Sequence, residues 1–182
     1  MKMHRPSIDL GDIVIISIKQ LLRECDICEQ DAVIALSSYP KPQGLLEDRA
    51  LFLSVDDVTN SSRPKAFKME DAEKILAFLG SMQPIKSLYI CCDGGVSRSA
   101  AVAAAITHAC IGDDFNIWKD PAYHPNQLVY TTMRSTMNDE CSNEELHKKI
   151  MMSEEALARK IAEASCELGC KSLGSNTHGI LI

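Results

Sequence analysis

Residues 91 to 99 read Cys-Cys-Asp-Gly-Gly-Val-Ser-Arg-Ser, CCDGGVSRS, and this stretch decides how the rest of the chain is read. Before it, residues 87–90 (SLYI) lead into a short buried strand that ends at Cys91. After it, residues 100–109 (AAVAAAITHA) predict a helix over 97–110 that is apolar nearly all round, the mark of a buried helix, with Gly112 as its stop. A loop between the carboxyl end of a strand and the start of a helix presents free backbone N–H groups and the positive end of the helix dipole. Successive amides in such a loop form a nest of anion size. Gly94 and Gly95 allow the positive φ values and close approach that a nest requires, and Arg98 can close the ring with a bidentate grip on two oxygens.

The same surroundings act on the thiol at the start of the loop. A helix N-terminus and an arginine lower a cysteine pKa below the free value of about 8.5, so Cys92 is expected to be largely thiolate near neutral pH. A thiolate beneath a cradled phosphate is placed for in-line attack on phosphorus. Ser99 is placed to donate a hydrogen bond to that sulfur and improve it as a leaving group.

Outward from this loop, buried strands are predicted at 12–17, 32–36 and 51–55, besides 88–91. Helices are predicted at 18–25, at 69–79 with Gly80 as stop, and at 97–110. The strands show little alternation, as expected for a sheet covered on both faces. Strands alternating with helices indicate an α/β fold with a four-stranded, mainly parallel sheet flanked by helices. Beyond it the chain reads as helical. One helix spans 124–137 with Pro125 in its first turn. A capping box at Ser142 and Glu145 opens the next. Ser153 with Glu154 and Glu155 opens a last one, striped by Leu157, Ile161, Ala164 and Leu168, before a loose tail from Lys171. The expected division is a catalytic domain over 1–140 and a helical C-terminal extension over 141–182, packed on or next to it.

Cys92-Asp93-Gly94-Gly95-Val96-Ser97-Arg98-Ser99 resembles the C-x-x-G-x-x-R-S phosphate loop of the cysteine-dependent protein tyrosine phosphatases, most closely the compact dual-specificity branch and its bacterial relatives. The resemblance covers about residues 10–140. It implies a strand, phosphate loop and buried helix in this order. It also implies an aspartate roughly thirty residues before the nucleophile that protonates the leaving oxygen. Asp57, in LFLSVDDVTN, takes that place, with Asp56 as the fallback. Pro125-Asn126 matches a Pro-Asn pair that in the family opens a helix packed near the phosphate loop. The implied substrate contacts are Asp93, Gly94, Gly95, Val96, Ser97, Arg98 and Asn126. The implied catalytic set is Cys92, Arg98, Asp57 and Ser99, with no metal and no cofactor. One departure stands out: the residue before the nucleophile is usually histidine in this family, and here it is Cys91.

Plainer readings stand beside these. Asp57 is otherwise a solvated loop carboxylate or a cap, and Asp93 is expected to turn away from the anion toward bulk solvent. Asn126 serves as helix cap as readily as phosphate-loop contact. Cys25-x2-Cys28 and Cys166-x3-Cys170 lack the spacing of a zinc site and read as core thiols. His108 reads as a packing residue and Trp118 as an anchor for its loop; a place at the site rim is only the lesser reading of His124. A disulfide between the neighbours Cys91 and Cys92 would be strained.

Composition narrows the partners. A net charge of −6 disfavours broad attraction to nucleic acid or anionic membrane. No apolar run reaches membrane-spanning length, and Asp9 and Asp12 interrupt any signal-like N-terminal segment. Most of the eight cysteines in 182 residues are expected to be free thiols in a reducing cytoplasm. The expected activity is metal-independent hydrolysis of phosphomonoesters through a phosphocysteine, on a phosphorylated protein or peptide or a small phosphate ester. The alternatives are a phosphate-binding module without turnover and a rhodanese-like thiol enzyme.

Overall fold

The computed structural model describes residues 10–45 and 48–173. Four strands, β1 (Leu10–Ser17), β2 (Ala32–Ser37), β3 (Ala50–Ser54) and β4 (Ile85–Cys92), form one sheet in the order β1-β4-β2-β3, with every neighbouring pair parallel. Because all strands run the same way, all their carboxyl ends open on one edge. That edge gathers Ser17, Ser37 and Ser38, Val55 to Asp57, and the 93–97 loop. In open parallel sheets this is where ligands bind.

Helices cover both faces. α1 (Ile18–Glu24) starts directly from β1 through a reciprocal cap, Ser17 Oγ accepting from Gln20 N at 3.1 Å and Gln20 Oε1 accepting from Ser17 N at 3.0 Å. It covers a small apolar cluster of Ile18, Leu21, Val33, Ala35, Leu45 and Cys91. The opposite face carries the main core, built from α2 (Met69–Ser81), α3 (Arg98–Ile111) and α5 (Gln127–Thr136). α3 is buried at every position from Arg98 to Ile106. Its run of alanines lets the helix axis come close to the sheet, where larger side chains would force the layers apart.

Several expectations need correction. α2 runs through Gly80 to Ser81: glycine lowers helix propensity but does not by itself stop a helix whose apolar face is packed. Gly112 does end α3, in the left-handed conformation at φ 80°. A short helix α4 (Phe115–Lys119), not foreseen from the sequence, presents Trp118 to the core. α5 begins at Gln127, so Pro125 lies before the cap, Asn126, and not in the first turn. The two C-terminal helices are one helix, α6 (Asn143–Leu173). Ser153 is not a cap but a buried residue in mid-helix, and Lys171 belongs to the helix as well.

α6 docks through its first half. Lys149, Ser153 and Ala156 are buried, and the Lys149 ammonium pairs with the buried carboxylate of Asp114. Beyond Ala156 the expected stripe faces water: Leu157 and Ile161 are exposed. Leu168, Cys166 and Cys170 lie outside the described side chains, as does the tail from residue 174. No described helix is long and apolar enough to cross a membrane.

Candidate active site

Strand alternation separates the two adjacent cysteines. Along β4 successive side chains point to opposite faces. Cys91 joins the apolar cluster under α1, while Cys92 joins the main core beside α3. Burial first, and then the nearby Cys92, Asp93 and Cys25, push the Cys91 thiol up to about 12. For Cys92, burial also works against the thiolate, but it is outweighed by hydrogen bonds from the Ser99 hydroxyl and from the Ser99 and Ser97 amides, and by the Arg98 charge. The net pKa of Cys92 lies below the ordinary thiol value. Ser99 Oγ stands 3.1 Å from Cys92 Sγ and is fully buried. The Ser99 hydroxyl and the amides at the helix start come ahead of the Arg98 charge among the causes of the lowering. A Cys91–Cys92 disulfide would have to break the strand, since the two thiols leave it on opposite sides.

Of the two loop glycines, one carries the conformational demand. Gly95 has φ +71°, and a Cβ there would stand 2.5 Å from Ser17 N and 2.6 Å from the Ile16 carbonyl carbon. The loop thus folds over the end of β1 at a point where any side chain would strike backbone. Gly94 has no positive φ and no such clash. Ser97 precedes α3 without capping it through its side chain. The exposed Val96 lies between Gly95 and Ser97 on the same loop.

Arg98 is 4% exposed, and its contacts are specific. Nη1 donates to the Val55 carbonyl at 2.6 Å and to Ser38 Oγ at 3.2 Å; Nη2 donates to Asp93 Oδ2 at 2.7 Å. These bonds use both Nη1 hydrogens and one on Nη2. The buried Nε has no hydrogen-bond partner. The N–H groups left over are those of Nε and Nη2, which together can meet two oxygens of one anion. A buried guanidinium is costly unless its donors are met. This one is anchored on one side and open on the other.

Asp93 departs from expectation. Its carboxylate does not turn to bulk solvent. It accepts from Ser37 Oγ at 2.6 Å, Ser38 N at 3.2 Å and Arg98 Nη2. Desolvation is more than offset by these bonds, so its pKa is lowered. Asp93 thereby fixes the arginine and ties the loop to the end of β2.

Asp57 lies across the loop from Arg98, with Oδ2 4.0 Å from Arg98 Nε. Its other oxygen accepts from Ser97 Oγ at 2.9 Å and Asn126 Nδ2 at 2.7 Å. Neither bond was foreseen, and together they orient the carboxyl while leaving it 40% exposed. Asp56 contributes backbone bonds to Lys65 and Val58 instead. Asn126 fills both roles considered for it. Its Oδ1 caps α5 at Val129 N (3.1 Å), while its Nδ2 holds Asp57 and its backbone N–H donates to Ser97 O at 3.2 Å. His124 N donates to Val96 O at 2.9 Å, so the 124–126 segment is stitched to the 93–97 loop. His108 sits near Asp114 (3.4 Å) and away from this edge, and Trp118 Nε1 donates to the same carboxylate at 2.9 Å, anchoring its helix.

An open cleft of about 530 Å³ runs along the Asp57 side of the loop, walled by the 57–63 segment, Ser97 and residues 124–127. A second depression of about 410 Å³ flanks the other side at Asp93, with Lys19, Arg23 and Tyr39 on its walls. No protein-family model matches the chain, and no curated protein matches it significantly.

Proposed function

We propose that the protein is a cysteine-dependent phosphomonoester hydrolase of the tyrosine or dual-specificity phosphatase type. The observation that carries this reading is the buried, half-satisfied Arg98 guanidinium beside a thiol of depressed pKa. In this mechanism a phosphate monoester settles on the open N–H groups of the 93–98 loop and on Arg98 Nε and Nη2. The Cys92 thiolate attacks phosphorus as the ester P–O bond breaks, giving a phosphocysteine. Asp57 gives its proton to the leaving oxygen. Asp57 then takes a proton from water, whose oxygen attacks the phosphocysteine. Inorganic phosphate leaves, and the thiolate is restored with the Ser99 hydroxyl donating to it. Arg98 and the loop amides stabilise the equatorial oxygens throughout.

The test is hydrolysis of a chromogenic aryl phosphate, with and without vanadate, beside Cys92→Ser. The wild type is expected to turn over and to be inhibited by vanadate, while Cys92→Ser binds phosphate-like anions without turnover. Retained hydrolysis by Cys92→Ser would overturn the mechanism. The competing reading, a module that holds phosphate without turnover, draws on Cys91. Its thiol stands on the far face of the sheet and gives the loop none of the bracing that a histidine supplies in the family. A wild type that binds phosphate and shows no turnover establishes that reading instead. The six described cysteines are free thiols, which supports a reducing, cytoplasmic setting. Cell fractionation that recovers the protein elsewhere would refute that placement.

A further inference from the structure

Arg63 and His124 are among the polar groups lining the cleft beside Asp57 that the proposed chemistry does not use. Arg63 projects from a turn closed by Ser62 N donating to Asn60 Oδ1 at 2.9 Å and Arg63 N donating to Asn60 O at 3.2 Å. It lines the cleft, and among the described residues no acceptor pairs with its guanidinium. His124 lines the same cleft from the opposite wall. Its ring is held from behind by α6: Ser153 Oγ, 1% exposed, stands 3.1 Å from Nδ1 and 3.4 Å from the Tyr123 carbonyl. We assign the shorter contact as donation to Nδ1, which leaves the ring proton on Nε2. That nitrogen has no partner among the described residues. Val58 and Pro125 are the apolar residues of the lining, and the other lining residues carry polar side chains.

We propose that Arg63 and His124 form a carboxylate subsite of the proposed phosphatase, which therefore prefers phosphopeptides with an acidic residue beside the phosphorylated one. The phosphate occupies the 93–98 loop, and the acidic side chain lies along the cleft, past Asp57, onto the unpaired guanidinium. Asp57 repels a carboxylate at the near end of the cleft, while Arg63 attracts it at the 60–63 turn. The subsite rests on the phosphatase reading for its first anchor point, and the C-terminal helix enters it only through Ser153.

The experiment measures binding rather than turnover. The full chain carrying Cys92→Ser is titrated at low salt with two phosphotyrosyl peptides that differ only in Asp or Ala next to the phosphotyrosine. The acidic peptide is expected to bind about fivefold tighter, as one partly exposed ion pair allows. Adding Arg63→Ala is expected to bring the ratio close to one, and adding Ser153→Ala is expected to lower it. Equal binding of the two peptides to Cys92→Ser overturns this inference and leaves the phosphatase reading in place. So does a ratio that survives Arg63→Ala, or one lost in Lys19→Ala/Arg23→Ala in its stead. Failure of both peptides to bind overturns both readings.

Discussion

Among the buried cations of the described residues, Lys149 and Arg98 are satisfied in opposite ways. Lys149, on α6, is enclosed. Its ammonium meets Asp114 and lies 3.7 Å from Glu145 and over the rings of Phe115 and Tyr130. Asp114 also accepts from Trp118, and its pKa is lowered because these bonds and the lysine charge outweigh its desolvation. Arg98 is nearly as buried, but its Nε has no hydrogen-bond partner. A closed network holds elements together. An open one leaves a buried donor unmet, at a cost in stability that a bound acceptor would recover.

The comparison can be broken most directly at the arginine. Arg98→Ala should lower kcat/KM for an aryl phosphate by about a thousandfold or more, the effect of losing a charged transition-state donor. If that variant instead lost mainly folding stability and kept its activity, Arg98 would be structural. Lys149→Met should do the reverse. Stranding the buried Asp114 carboxylate is expected to cost about 3–5 kcal/mol in denaturant unfolding, and the double variant Lys149→Met/Asp114→Asn should recover part of that. A double variant no more stable than the single would show that the pair does not act as a unit.

A smaller effect is expected at Asp57. Asp57→Ala should slow the reaction about a hundredfold for poor leaving groups and less for good ones. A uniform loss would remove Asp57 as the acid. The mildest probe uses the two thiols. Cys92, with its lowered pKa, should be alkylated by iodoacetamide at pH values below the ordinary thiol range, while Cys91, at about 12, should stay unreactive. The sign follows from the cause: removing the Ser99 hydroxyl removes a bond to the thiolate. Ser99→Ala should therefore move the Cys92 alkylation profile to higher pH. A profile that does not move would place the stabilisation in the loop amides and Arg98 alone.

Much of the fold was legible because its signals are local. Four short apolar runs, an alanine-rich helix and Gly112 mark strands, a buried helix and a stop without reference to anything distant. The site was legible at Cys92, Gly95, Arg98 and Ser99 for the same reason, since strand, loop and helix follow one another in the chain. The misreadings fall where packing overrode local preference. α2 continues through Gly80 because Ala72, Ile75 and Leu79 are buried against the core. Ser153 resembled a cap because serine followed by acidic residues is a common helix start, and only the docked α6 shows that its hydroxyl serves His124. Asp93 was expected to face solvent, yet it pairs with Arg98 five residues further on as well as with more distant groups. Its partners Ser37 and Ser38 lie more than fifty residues away on a neighbouring strand.

By itself, then, the sequence determined the class of fold and the strand, loop and buried helix that frame Cys92 and Arg98, because both depend on residues within a few positions of one another. The tertiary structure decided which donors remain open and how the site is held. The parallel sheet brings the ends of β2, β3 and β4 to one edge, where Asp93 and Val55 engage Arg98, and Asn126 and Ser97 engage Asp57. Those contacts span five to sixty-nine residues of chain. The longer ones follow from strand order and helix docking, which no local pattern encodes.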